Sequence, residues 1–390
     1  MSKVLNDTAA AISANGSASN SLLVSSDIIC SIIASTSANS VSPVKAKLSS
    51  SVYMGAVQFR QRIILSLLSG KATVIKEIRS NEENPGLKGN ILLVNLTSTE
   101  VTFRPGSIYG GELEFTCGVQ RSLVYFLEAL FILAPFSKLA FRVTLNGITA
   151  DGVDQTIDGV KNINARILKH FGIDDGFDFK ILRRGSLPLG GGKIFFTCPV
   201  ISSLRPVSMT EVGAIKKIRG IAATTRVSPQ VANRMIEAAR SQLNTFIPDV
   251  YIYSDVFKGD DAGLSSGYSL FLQAESTSGA VYSADGVGSA GQPVEEMSIK
   301  VAHSLLRQIQ KGGIVDQSHQ WMLVMLMALC PADLSKVALG PLTPQCTMLL
   351  DDLKTFLGVS FKILENFPNE GTTTVSCIGA GFSNLNRRTQ

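Results

Sequence analysis

From Tyr53 onward the chain alternates apolar and polar positions with two periods, one helical and one extended. Before Tyr53 it shows neither. Residues 59–69, FRQRIILSLLS, place Phe59, Ile63, Ile64, Leu67 and Leu68 on one side of a helix, with Arg60 and Arg62 on the other. Gly70 then supplies a natural stop. TVIKEIR (73–79) alternates as a strand, and Asn84-Pro85-Gly86 signals a turn. ILLVNL (91–96) and EVTFRP (100–105) read as two further strands, the second ended by Pro105-Gly106.

Helix, strand, turn, strand, strand is not the strict alternation of a doubly wound sheet, so the pattern predicts an α+β fold. A related rhythm returns twice. A helix over 120–134 leads to the strand 141–145, and a helix over 153–171 leads to 179–184. Near the C-terminus, helices at about 294–311 and 316–330 precede the segment 345–357 and the strands 359–364 and 372–379. Three units of helix plus strands suggest an internal repeat that builds a large core.

Between the second and third units, residues 228–246 form an amphipathic helix with Ser228 as N-cap and Pro229 in its first turn. VYIYSDV (250–256) and YSLFLQAE (268–275) read as strands around the loop KGDDAGLSSG. The expected organisation is a disordered Ser/Ala-rich extension over 1–52, a core over 53–200 and 291–390, and a small α/β insert over 201–290.

Composition narrows the class without deciding it. With 45% hydrophobic and only 17% charged residues, 390 residues can bury a substantial core, which excludes a mainly disordered chain. A net charge of +5 permits nucleic acid as a partner and does not require it. Six cysteines without a C-x-x-C pair argue against disulfide staples and structural zinc. His170, His303 and His319 lack metal-ligand spacing, so no metal and no cofactor are expected. No run reaches the roughly 18 apolar residues that span a bilayer, so no membrane contact is expected. SLLVSSDIICSIIA (21–34) is broken by Asp27 and starts late for a signal peptide. The first 50 residues carry no arginine, unlike a transit peptide.

The sharpest local feature is RGSLPLGGGKI, from Arg184 to Ile194, directly after a strand. Gly190, Gly191 and Gly192 remove every side chain from one turn, which lets backbone approach a ligand or another strand. Arg184 and Lys193 flank it with positive charge. The spacing fails as a P-loop, because Gly191 stands where the lysine should be. On its residues alone the turn is either a tight structural corner or an anion-facing loop.

A basic residue and glycine followed by Pro-x-Gly-Gly-Gly resembles the signature of the RNA 3′-terminal phosphate cyclase family. SGKATVIKEIRSNEENPGL (69–87), EVTFRPGSIYGG (100–111), VSPQVANRMIEAA (227–239), SADGVGSAGQPVEE (283–296) and GIVDQ (313–317) match in order and spacing. The resemblance implies a repeated α+β core carrying a small inserted domain.

Two departures define the branch. Cyclases carry an acidic, triple-glycine-Gln element before the first helix, which helps hold nucleotide and metal. Here that stretch is Tyr53-Met54-Gly55-Ala56-Val57-Gln58, with only Gly55 and Gln58 retained. Cyclases also use a C-terminal histidine nucleophile that takes AMP from ATP. That position falls at or near Gln345, and no histidine follows His319. The pattern resembles the cyclase-like proteins of eukaryotic ribosome biogenesis. That branch implies the nucleus and nucleolus, the small-subunit processome with its snoRNP and pre-rRNA, a ribosome-assembly GTPase as direct partner, and a monomer within a larger particle.

Three functions compete on the residues. A non-enzymatic assembly factor would use Arg60, Arg62, Arg104, Arg183, Arg184, Lys193, Lys216, Lys217, Arg219 and Arg226 as phosphate contacts, the alternative being solvated surface charge. Such a glycine-lined basic pocket would take a phosphate, a sulfate-like anion or an acidic tail. An endonuclease cutting pre-rRNA would draw on Asp351, Asp352 and Lys354, or on Asp260 and Asp261. Adjacent helical residues point about 100° apart, so a solvated helix face is the expectation for Asp351 and Asp352. A residual RNA 3′-phosphate cyclase would need another nucleophile.

Overall fold

The first amphipathic stretch folds as its spacing requires. Helix α1 (Phe59–Ser69) buries Ile63, Ile64, Leu65, Leu67 and Leu68 and ends at Gly70 in the left-handed region. A computed structural model describes residues 51–81, 99–288, 291–365 and 371–384. Residues 1–50 of the expected extension, the Asn84-Pro85-Gly86 turn and the expected strand at 91–96 lie outside the described residues. Strand β1 (Ser51–Met54) begins at the end of the stretch assigned to that extension. It pairs in parallel with β2 (Thr73–Lys76), which pairs antiparallel with β3 (Val101–Phe103).

Sheet 2 contains β4 (Gly111–Thr116), β5 (Phe141–Gly147), β6 (Asp178–Arg183) and β7 (Gly192–Cys198) in the order β4-β5-β7-β6. Helix α2 (Leu123–Leu133) joins β4 to β5. Ser122 caps α2 by accepting from the Val124 amide. Helix α3 runs as Ile157–Gly159, a π-type stretch Val160–Asn164, and Ala165–His170. The core between α2 and sheet 2 is aromatic, with Phe131 of α2 packed on Phe196 of β7 at 5.3 Å and on Phe179 of β6 at 6.3 Å.

Beyond sheet 2 come β8 (Ser208–Met209), β9 (Ile215–Thr225), α4 (Pro229–Leu243), β10 (Val250–Phe257), β11 (Gly267–Ser276), β12 (Val281–Val287) and α5 (Val294–Lys311). They are followed by α6 (Gln320–Leu329), β13 (Leu334–Leu339), α7 (Pro344–Leu357), β14 (Phe361–Glu365) and β15 (Thr373–Ile378). Sheet 4 has the order β14-β15-β13-β8. Its connectivity, β8, α6, β13, α7, β14, β15, repeats that of sheet 2, including the parallel first pair and two antiparallel steps. Two of the units expected from periodicity therefore share one topology.

Between β8 and α6 the chain builds sheet 3, ordered β10-β9-β11-β12, with α4 and α5 packed on it. This excursion spans 215–311; the sequence placed an insert over 201–290. Ser228 caps α4 by accepting from the Gln230 amide, with Pro229 in the first turn, as its sequence requires.

Several strands escaped the periodicity reading, most plainly β9. Its sequence, IKKIRGIAATT, carries three basic residues, a glycine and two alanines, which have low strand preference. It forms because its neighbours β10 and β11 satisfy both of its edges. Helix α6 sits deepest. All of its residues are buried except the half-buried Trp321, consistent with a helix apolar on every side.

Candidate functional site

Two segments far apart in sequence meet where β1 enters α1. Gly55 turns the chain at a φ of 78°, and Gln58 caps α1 in the left-handed region at 58°. The Gln58 Nε2 then donates to the backbone carbonyl of Gln345 at the head of α7. Thr343 caps α7 by accepting from the Cys346 amide at 3.1 Å. Gln320, buried in α6, accepts from the Thr343 amide at 3.0 Å and donates to the Pro341 carbonyl at 3.1 Å. Gln317, at the end of GIVDQ, donates to the same carbonyl at 3.0 Å. Three places singled out in the sequence, the turn at 55–58, the end of GIVDQ (313–317) and Gln345, thus form one neighbourhood.

The chemistry available there is limited. Met54 and Val57 are 56% and 53% exposed, so bulky apolar groups stand at the surface of the turn rather than bare backbone. Gln345 is exposed and offers a carboxamide, which is no nucleophile. The head of a 14-residue helix does carry partial positive charge and favours an anion.

Behind this neighbourhood the cations of α1 are engaged with carboxylates. Arg62 Nε lies 3.0 Å from Asp352 Oδ2, and its guanidinium sits 4.2 Å over the Tyr53 ring, which stacks on Phe356. Burial pushes the Asp352 carboxyl above its ordinary range, against the pull of Arg62. Arg60 pairs with Glu128 and covers the Tyr125 ring at 4.3 Å. The polar side of α1 therefore faces α2 and α7, not solvent.

Of the endonuclease candidates, Asp352 points inward to Arg62 while Asp351 and Lys354 are exposed on the opposite side of α7. The three do not converge. The expectation of a solvated face fails for Asp352, because α1 covers that side of α7. Asp260 and Asp261 lie exposed in the turn before β11.

The triple-glycine turn is a junction between sheet 2 and the excursion. Gly263 donates its amide to the Arg184 carbonyl at 2.7 Å and Leu264 to the Gly190 carbonyl at 2.9 Å. A Cβ on Gly191 would meet Leu264 at 2.9 Å, and one on Gly192 would meet the Gly147 carbonyl at 2.8 Å. Arg184 is only 4% exposed and forks onto Asp158 at 2.6 and 2.7 Å, with Asp255 at 2.8 Å from Nε. Burial works against its charge, and the two carboxylates more than offset this, holding the guanidinium above its ordinary range. Arg226 donates to the Gly263 and Gly259 carbonyls and clips the same loop.

The remaining cations are more open. Lys193 reaches Glu114 at 3.2 Å from a partly exposed position, and Arg104 and Arg183 are exposed. Lys216 and Lys217 both lie 3.2 Å from Glu275, and Arg219 forks onto Asp249 at 2.8 and 3.1 Å. The predicted cations thus do not form one pocket.

Sequence reasoning missed Asp158 and Asp255 as partners of Arg184, and it missed the exposed pair Tyr251 and Tyr253. The alternation in VYIYSDV carried that second signal, since Tyr251, Tyr253 and Asp255 share one face of a strand. Of the histidines, His319 is buried against Asp316 at 2.8 Å, and His303 reaches Gln242 at the surface. Among the described residues no group of acidic, Cys or His side chains is arranged to hold a metal, and no helix is long and apolar enough to cross a membrane.

Comparison with known proteins agrees with this arrangement. The family model for RNA 3′-terminal phosphate cyclase matches residues 52–363. The RNA 3′-terminal phosphate cyclase-like protein of Mus musculus is 43% identical over 362 residues, covering 86% of this chain and 97% of its own. Its Homo sapiens counterpart is 42% identical with the same coverage. The rRNA processing protein rcl1 of Schizosaccharomyces pombe is 37% identical over 357 residues, covering 87% of this chain and 98% of its own. With the repeated topology and the altered turn at 54–58, these matches place the chain in the RNA 3′-terminal phosphate cyclase family, among its cyclase-like members.

Proposed function

We propose that the chain is a non-cyclase assembly factor for pre-rRNA processing. It acts in the nucleolus as part of the small-subunit processome and is needed for processing toward 18S rRNA. There it binds a ribosome-assembly GTPase and touches pre-rRNA, beside the snoRNP of that processome. The observation that carries this reading is Gln345 at the head of α7, held against Gln58. Nucleotidyl transfer to a side chain needs a free lone pair at that place, and a carboxamide nitrogen has none to give. The name of the fission yeast relative supports the rRNA-processing part of the reading.

An endonuclease built on Asp352 gains no support from the geometry. A general base needs a free carboxylate within reach of substrate, and Asp352 lies under α1 against Arg62.

Incubation of the purified chain with labelled ATP is expected to give no covalent adenylate; a labelled band that survives denaturation overturns the non-cyclase reading. In cells, depletion is expected to accumulate 18S precursors, and affinity capture is expected to recover a GTPase. Normal 18S maturation after depletion counts against the processing role.

A further inference from the structure

Over its first half, from Arg219 to Ile221 and from Tyr251 to Tyr253, the β9–β10 side of sheet 3 is packed on one face only, whereas farther along Ala223 and Thr225 of the other face are buried. Helix α4 covers the inner face, where Ile218, Ala222, Val250 and Ile252 are buried. On the other face α3 packs against β11 and β12. A side chain at Gly159 would meet Phe271 and Asp285 at 3.5 Å, and Arg166 reaches Glu275 at 2.8 Å. That cover reaches β10 only at its far end, where Arg184 bridges Asp158 of α3 to Asp255, and leaves the first half of the strand open. Tyr251 and Tyr253, two positions apart on the open face, are 55% and 54% exposed with ring centroids 4.4 Å apart. Register places Arg219 beside Tyr251 and half-buried Ile221 beside Tyr253.

The charges on this face are uneven. Arg219 and Asp249 neutralise each other, while Arg184 answers both Asp255, on the Tyr strand, and Asp158, which leaves that far end one charge negative. Next along the sheet, Arg166, Lys216 and Lys217 all converge on the single carboxylate of Glu275. Three cations against one anion make this end of the face positive by two charges, away from the negative end at Asp255. Exposed aromatic faces on an open sheet beside excess positive charge match the chemistry of unpaired nucleotides, which offer flat bases and a phosphate chain. A duplex offers no free base faces. A protein-docking face would be expected to extend its apolar area around the rings, whereas here the flanking groups are charged.

We propose that the open face of β9 and β10 is a stacking platform for single-stranded RNA, with Tyr251 and Tyr253 receiving bases and Lys216 and Lys217 facing the phosphates. The proposal rests on the direct RNA contact in the function proposed above and names its place and substrate form.

The test uses the full chain and a fluorescein-labelled 12-nucleotide single-stranded RNA, followed by anisotropy at fixed salt. Tyr251→Ala and Tyr253→Ala are each expected to weaken binding about tenfold. Tyr251→Phe and Tyr253→Phe, which keep the rings, should stay within about twofold, and the annealed duplex should bind no better than the double alanine variant. Ultraviolet crosslinks on the unaltered chain should map to β10. Tight binding by the unaltered chain with an unaffected double alanine variant, or crosslinks confined to other surfaces, overturns the platform and leaves direct RNA contact standing. No binding by the unaltered chain removes both. The phenylalanine variants and the crosslink map keep the outcome independent of any folding defect in the alanine variants.

Discussion

The Gln58 side chain donates to the carbonyl of Gln345 across 287 positions of chain. One hydrogen bond thus closes the β1–α1 turn onto the head of α7, where the fold's relatives in the cyclase resemblance place a nucleotide element and a nucleophile. Here the two positions hold each other. Gln58 stays in the left-handed region to make the bond, a conformation that costs a non-glycine residue about 1–2 kcal/mol.

Loss of that bond and release of that strain can be separated. Gln58→Ala removes the bond and keeps the strain, so it should destabilise by about 1 kcal/mol. Gln58→Gly removes both and should be close to neutral, about 1 kcal/mol better than the alanine. Urea midpoints of the two variants check this. An alanine variant as stable as the glycine variant would show that the conformation carries no cost here.

The Arg62–Asp352 pair is almost fully enclosed, with side chains 12% and 6% exposed. Asp352→Ala would leave a buried guanidinium with its partner gone and should cost about 3 kcal/mol. Arg62→Met with Asp352→Leu removes both charges and should recover most of that loss. Chemical denaturation of the two variants beside the unaltered chain measures the loss and its recovery. The result also bears on nuclease assays, since reduced cleavage by Asp352→Ala would follow from lost fold stability alone.

What could be read without the structure divides along physical lines. Helix α5, with a strong 3.6-residue stripe, and α1, a dense apolar run stopped by Gly70, were legible nearly to the residue. Strand β9 was not, because lysines and alanines hide a strand whose place is set by its neighbours. The same limit applies to the site. Periodicity put Arg60 and Arg62 on a polar helix side, yet it cannot reveal that α2 and α7 cover that side. Arg184 was singled out for its charge, while its partners lie 26 and 71 positions away. Gln58 and Gln345 were both legible as family positions; their contact was not.

The glycine junction predicts a sharp ranking of substitutions. A Cβ on Gly263 would lie 2.5 Å from both the Arg184 and the Gly190 carbonyls, which are backbone and cannot swing aside. Gly263→Ala should therefore cost about 2–3 kcal/mol and loosen the excursion from sheet 2. Gly55→Ala meets nothing within 4 Å and carries only its positive φ, a cost of about 1 kcal/mol. Thermal melts with limited proteolysis of the 259–265 loop test the ranking. Equal stability of the two variants would mean that the junction gives way easily.

Acid stability should report the charge cluster around Glu275. Burial there works against ionisation, but Arg166, Lys217 and Lys216 more than offset it and bring the carboxyl down to about 2 from an ordinary 4.5. Between those values the unfolded chain binds more protons than the folded one. Stability therefore rises with pH across that window, is fully present above about 4.5, and is lost as pH falls toward 2. Glu275→Gln removes this titration and leaves three cations crowded, costing about 1 kcal/mol at pH 7 because the cations are partly exposed. Denaturation midpoints measured from pH 7 down to 2 should fall less steeply below pH 4.5 in the variant than in the unaltered chain. Parallel curves would mean that Glu275 shares its charge with solvent rather than with the three cations.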